Sequence, residues 1–259
     1  MSVADAVAYA TGGRPVSRAT QARRLAVIRR FVDWLRIANP EAGEPIPPDL
    51  ICGSYQRRTP YLYSADQVED LVAAAAGLSS PAIAEAMRIL IGLLWVSGLR
   101  SGEALALNIE DIDWDRAVLT VRGKLDRHRL VPLHASTAEQ LRRHCQHRTS
   151  GPLLLGVSGH RISASTVHQA FRRILAACPQ PGQPGARPPR LHDFRHTLAV
   201  DTLTDAHRQG FDVDARLAVL STFLGHVDAE ATYWYLTASP ELLGAVTDRV
   251  AAALHRRQR

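Results

Sequence analysis

Residues 81–97, PAIAEAMRILIGLLWVS, constrain the fold more than any other stretch. Ile83, Met87, Leu90, Ile91, Leu94 and Trp95 cover nearly every face of a helix of that length. A helix that is apolar all round must be enclosed by other elements, so the spacing predicts a central, buried helix. Glu85 and Arg88 interrupt the run, which therefore does not read as a membrane span. The helix stops at Ser97-Gly98, and a short helical piece, EALAL, follows.

Around it the pattern alternates between helix and a little strand. Ser64-x-x-Gln67 forms a capping box ahead of Val68, Leu71 and Val72. Between 107 and 133 the period changes. Leu107, Ile109 and Ile112 alternate, AVLTV is rich in β-branched residues, and RLVPL follows a polar turn holding Gly123-Lys124. A small antiparallel sheet is expected there. Ser136-x-x-Glu139 predicts a cap for a helix over 137–147, with a short strand at 153–155 and a helix over 162–177. PQPGQPGARPP, 179–189, reads as a surface loop. Helices then begin near His192, over 214–224, and at Ser239-Pro240, where Leu242, Leu243, Val246, Val250 and Leu254 make an apolar stripe. The fold class is mainly α with a small antiparallel β-sheet.

The N-terminal part differs in composition. Residues 1–16 are expected to be flexible. Residues 17–37 predict an amphipathic helix with Leu25, Ile28, Phe31, Val32 and Leu35 on one stripe. Arginines surround that stripe, among them Arg23, Arg24 and Arg30. They are either a solvated basic face or a face turned to phosphates. NPEAGEPIPPDL, 39–50, is too proline-rich for regular structure and is expected to be a linker. The expected division is 1–50, a partial helical domain with its linker, and 58–259, one larger domain.

Charge supplies the first functional hint. The net charge is +6, and the excess is almost all arginine, which favours an anionic partner, nucleic acid ahead of membrane. The alternative source of that excess is a codon preference for arginine. The N-terminus lacks a basic start followed by an apolar block, and the three cysteines, Cys52, Cys145 and Cys178, have no metal-ligand spacing. A cytoplasmic chain with reduced thiols is expected.

A set of chemically able residues is spread along 100–235. Arg100 follows the central helix directly and suits a fixed anion clamp, with Glu103 one turn on to orient it. Lys124 lies at the expected hairpin turn and could serve as a mobile proton donor. His192 and Arg195, in LHDFRHTLA, share a helix face with His196. His226 ends FLGH, and Tyr233-Trp234-Tyr235 follows. Two arginines can hold the non-bridging oxygens of a phosphodiester. A histidine can accept a phenol proton, and a lysine can protonate a leaving oxygen. The chain carries neither a Walker-type glycine loop nor carboxylate clusters, which argues against ATP- or Mg²⁺-driven phosphoryl transfer, so no cofactor or metal is expected.

In this order these residues resemble the tyrosine recombinase (phage integrase) family over 60–254. SGLRSGEALAL resembles its first block, with Arg100 in the place of the first catalytic arginine and Glu103 of its supporting acid. RGKLDRHRLVPL is similar to the family hairpin and puts Lys124 in the place of the catalytic lysine. LHDFRHTLA matches the His-x-x-Arg box, giving His192 and Arg195, and FLGH gives His226. The family's usual spacing then selects Tyr235 over Tyr233 as nucleophile. The resemblance implies site-specific cutting and rejoining of double-stranded DNA through a 3′-phosphotyrosyl link. It also implies a homo-tetramer on paired sites, with segment 240–254 docking on a neighbouring subunit, related recombinases as further partners, and a mobile-element setting. Two departures stand out. Leu125 and Asp126 occupy positions where the family commonly has lysine or glycine, and fewer than 60 residues precede the catalytic part. The second motivates an alternative: a truncated relative that binds DNA, or joins full-length relatives, without productive recombination.

Overall fold

The computed structural model describes residues 1–53, 60–123, 128–178, 188–225, Tyr235 and Gly244. The chain divides into two compact units, Met1–Arg58 and Thr59–Arg259.

The first unit holds helices α1, Val3–Thr11, and α2, Arg18–Ala38. The flexibility expected for 1–16 is not what the structure shows. Ser2 and Asp5 form a capping box that starts α1, and Ala6 and Ala10 are fully buried against a core of Leu25, Val32 and Ile46. Small alanine contacts drive this helix, which a search for large apolar residues passes over. The proline-rich stretch is not a free linker either. The Glu44 carboxylate accepts the Val3 N–H at 2.9 Å, Arg36 donates to the Gly43 carbonyl at 2.7 Å, and Arg18 donates to the Cys52 carbonyl at 3.0 Å. Proline forbids regular structure there but not packing. Phe31 also departs from the expected buried stripe. The side of α2 bearing Leu25 and Val32 packs into the core of this unit, while Phe31 is 54% exposed and Trp34 64% exposed.

The second unit is built on α4, Pro81–Ser97, the helix predicted to be central. Met87, Leu90, Ile91 and Leu94 are fully buried. Around it pack α3 (Ala65–Ala75), α5 (Ser101–Ala106), α6 (Ala135–Cys145), α7 (Ala164–Ala177) and α8 (Asp193–Arg208), and α9 (Val213–Leu224) packs on α8. Strands β1 (Ile112–Asp113), β2 (Val118–Arg122) and β3 (His128–Pro132) form one antiparallel sheet in that order. The register pairs Val118 with Pro132 and Arg122 with His128, so residues 123–127 join the two longer strands. The fold is mainly helical with a small antiparallel sheet, as the sequence pattern predicts.

Three local expectations are corrected. Ile109–Asp111 is a 3-10 turn, because the Asp111 carboxylate accepts the Asn108 N–H at 2.8 Å and bends the chain before β1. The cap of α6 is His134, whose Nδ1 accepts the Ser136 N–H at 3.3 Å, so Ser136 lies inside the helix. Residues 153–155 form no strand; the pairing there is limited to isolated bridges, Asn108 with Pro152 and Leu155 with Arg161. Leu153 and Leu154 are both buried, which an alternating strand with one open face does not allow. The expected loop at 179–189 lies almost wholly, and the helix at 240–254 lies apart from Gly244, outside the described residues. Among the described residues no helix is long and apolar enough to cross a membrane.

Candidate active site

The site forms where the ends of three helices meet. Helix α4 ends at Gly98, whose φ of 58° is left-handed. A Cβ at Gly98 would lie 2.7 Å from Leu198 Cδ2 and 2.9 Å from Leu224 Cδ2. Only glycine satisfies both the backbone angle and the close approach. Helix α9 ends the same way at Gly225, with φ 68°.

These two ends hold Arg195. It projects from α8 and is 1% exposed. Its Nη1 donates to the Gly98 carbonyl at 2.9 Å and its Nη2 to the Leu224 carbonyl at 2.7 Å. A helix C-terminus carries partial negative charge and free carbonyls, so two of them make an electronegative cage suited to a cation. Loss of water, then the charge of Arg100, lowers the Arg195 pKa to about 10, while Tyr235 pulls it upward. The guanidinium is therefore charged at neutral pH and fixed to the backbone.

Arg100 lies two residues beyond Gly98, at the cap of α5, with 42% of its side chain exposed. Its backbone N–H donates to Glu103 Oε2 at 2.9 Å and its Nη1 to Oε1 at 2.8 Å. Glu103 also receives both Nη atoms of Arg129, at 3.1 and 2.7 Å. Burial alone would raise the Glu103 carboxyl, but the Arg129 hydrogen bond, the Arg100 backbone and the Arg100 side chain overcome it and hold the pKa at about 2. Glu103 is thus a permanent anion that aims two guanidinium groups.

Tyr235 is 3% exposed and packs with Ala199, Val200, Leu203, Leu217, Leu220 and Leu224. Burial raises its phenol pKa, and the charge and hydrogen bond of Arg195, with the charge of Arg100, oppose that rise. The His196 ring meets the Tyr235 ring edge-on at 5.4 Å, and the His192 ring meets His196 at 4.7 Å. Loss of water is the first cause that lowers the His192 pKa to about 4, followed by Arg195, Arg190 and Arg100. The residue keeps a solvent-open edge, so the three guanidinium groups are the firmer cause. Its imidazole is neutral at pH 7.

The start of α8 is itself braced. The Asp193 carboxylate accepts the Arg190 N–H at 2.7 Å, the Tyr63 N–H donates to Thr197 Oγ1 at 3.0 Å, and Tyr63 stacks on Phe194 at 4.3 Å. Of the residues that the sequence singles out, Arg100, Glu103, His192, Arg195 and Tyr235 come together here. Lys124 and His226 lie outside the described residues. Arg23, Arg24 and Arg30 belong to the first unit, where Arg24 Nη1 donates to the Gly12 carbonyl at 3.3 Å. Two further residues, to which the sequence assigns no role, join the site. Arg129 reaches it from β3, and His196 lies between His192 and Tyr235. Among the described residues no group of three or more His, Cys, Asp or Glu side chains could hold a metal ion.

The model of the phage integrase family matches residues 62–241. Tyrosine recombinase XerC of Corynebacterium glutamicum is 31% identical over 236 residues, covering 88% of this chain and 70% of that protein. Protein y4rB of Sinorhizobium fredii, whose name carries the words integrase/recombinase, is 38% identical over 238 residues, covering 86% and 75%. Among solved structures, XerH site-specific recombinase bound to palindromic difH substrate matches with a TM-score of 0.67 at 21% identity, covering 95% of this chain and 71% of that one.

Proposed function

This chain belongs to the phage integrase family, and on that premise we propose that it is a site-specific recombinase of double-stranded DNA with Tyr235 as its nucleophile. The Tyr235 oxygen attacks a backbone phosphorus, the bond from phosphorus to the 5′ oxygen breaks, and a 3′-phosphotyrosyl link and a 5′-hydroxyl result. Attack by a 5′-hydroxyl on that link reverses the step and rejoins DNA. The link conserves the bond, so neither ATP nor metal is needed.

One observation carries this reading: the buried Tyr235 phenol shares its pocket with an arginine locked to two helix ends. Arg195 and Arg100 face the oxygens that gain charge in the pentacovalent transition state, and Glu103 keeps Arg100 in place. Neutral His192 is free to take the phenol proton. His226 completes the anion-binding set.

Lys124 protonates the departing 5′ oxygen, and composition supports that role. Lys and Arg total 31, yet Lys124 is the only lysine. Arginine does not release a proton near neutral pH and an amine does, so a general acid is the one task arginine cannot perform. Arg23, Arg24 and Arg30 add backbone contacts to DNA, and segment 240–254 docks on a neighbouring subunit within a homo-tetramer.

The test is covalent trapping. Protein is incubated with nicked duplexes tiling the flanks of its own gene, with EDTA and without nucleotide, then run on a denaturing gel. A slow protein–DNA band is expected. Binding without any covalent band, on duplexes that the protein occupies, would instead support a DNA-binding relative without chemistry.

A further inference from the structure

Arg129 ties together three parts of the second unit. It lies on β3, directly after the segment that carries Lys124. Both its Nη atoms donate to Glu103, at 3.1 and 2.7 Å, and its Nε donates to the Phe223 carbonyl at 3.1 Å. All five guanidinium donors belong to one rigid plane, so these bonds fix one orientation of β3, α5 and the end of α9. The pair is well shielded, with 13% of the Arg129 side chain and 11% of the Glu103 side chain exposed. Its guanidinium also lies against Gly225, where a Cβ would approach Nη1 to 2.9 Å. Gly225 thus leaves room for Arg129 as well as supplying the left-handed turn.

We propose that Arg129 is a positioning residue of the active site. It holds the lysine-bearing hairpin, the Glu103–Arg100 pair and the Gly225 turn before His226 as one unit. It touches no reacting atom. Glu103 is the hub on one side, since it receives Arg100 and Arg129 together. The Phe223 carbonyl is the hub on the other, one residue before the Leu224 carbonyl that holds Arg195. Displacing the Arg129 fork therefore loosens the proton donor and both arginine anchors at once. Lysine cannot replace it, because a single ammonium does not span a carboxylate and a carbonyl in this fixed fork. The inference rests on the recombinase reading for the roles of Lys124 and Arg100, but not for the clamp itself.

Two measurements on Arg129→Lys and Arg129→Met keep the two apart. Endoproteinase Lys-C cuts only after Lys124 in the wild-type chain, so a change in its rate on native protein between variants reports a change in how firmly the flanking β2–β3 pair is held. The Arg129→Met chain keeps that single site, and its cut rate is expected to rise by roughly 5- to 20-fold while its α4 amides keep their slow hydrogen exchange. For Arg129→Lys, hydrogen exchange replaces Lys-C, and faster exchange is expected over 122–128 and 222–235 together. The second measurement is the rate of covalent product against pH. Arg129→Met is expected to slow it by about 10²-fold and to add a loss on acidification, because Glu103 stays buried without its leading hydrogen-bond donor. Glu103→Gln in the same chain removes that acid limb. Were Arg129→Met to fail to fold, the charge-keeping Arg129→Lys decides alone. Hairpin opening and exchange like the wild type in these variants would overturn the clamp, whatever the cleavage rate. Absence of covalent product from the wild type would count against the recombinase reading, and the opening measurement would still decide the clamp.

Discussion

The arginines of the two units are held differently. In the second unit Arg195 is 1% exposed and its position is set by two backbone carbonyls. In the first unit Arg23 and Arg30 are exposed on α2, as is Trp34 at 64%. A buried arginine with fixed partners places charge to a fraction of an ångström, as transition-state stabilisation requires. An open arginine can supply affinity for a polyanion without placing it. On the proposed reading the same residue type serves as machinery in one unit and as adhesive in the other, and burial is what separates them.

The contrast is broken most severely by Arg195→Ala. Two carbonyls lose a charged donor and a large buried volume empties, so a loss of about 3 kcal/mol in unfolding free energy is expected in urea titrations. Covalent product should fall by more than about 10³-fold. Arg195→Lys should recover part of the stability and little of the rate, because an ammonium does not bridge both helix ends. Cleavage that survived Arg195→Ala would place Arg195 among the merely structural residues.

Lys124→Arg comes next, with an expected loss of about 10²- to 10³-fold in cleavage. A substrate with sulfur at the 5′ bridging position should restore most of that rate, since a thiolate leaves without protonation. Failure of the sulfur substrate to rescue would remove Lys124 from the proton-donor role.

His192 gives a pH signature. Its native pKa, about 4, lies below the ordinary 6.5. The unfolded chain therefore binds the extra proton first. This contribution to stability is full above pH 6.5 and is lost as pH falls from 6.5 toward 4. Melting temperature should drop over that window in the wild type and drop less in His192→Gln. Equal slopes would mean that His192 is not held neutral by its neighbours.

The smallest effect is expected from Arg30→Ala. Cleavage at saturating protein should be unchanged, while the slope of log binding constant against log salt should flatten by about 0.9 for each phosphate the side chain no longer neutralises. A change in cleavage rate without a change in salt slope would reverse the roles assigned to the two units.

Much of this was legible in the sequence, and what was not has physical causes. The central helix could be read because Met87, Leu90, Ile91 and Leu94 carry its burial in large apolar side chains. Helix α1 could not, because Ala6 and Ala10 bury little area each and the signal lies in a two-residue capping box. Arg100, His192 and Arg195 stood at recognisable spacings after a glycine and along one helix. Arg129 did not, since a single arginine in a short strand has no periodic mark and its partners, Glu103 and Phe223, are distant in the chain. His196 shared the face of His192 and Arg195, but its contact with Tyr235 joins residues that are distant in the chain and has no local mark.

The most direct measurement of the central claim is the identity of the residue joined to DNA. Covalent product from the wild type, from Tyr235→Phe and from Tyr233→Phe would be digested and the nucleotide-bearing peptide sequenced by mass spectrometry. The nucleotide is predicted on Tyr235, with product absent in Tyr235→Phe and retained in Tyr233→Phe. A nucleotide on Tyr233, or product that survives Tyr235→Phe, would contradict the assignment and with it the role given to the buried phenol beside Arg195.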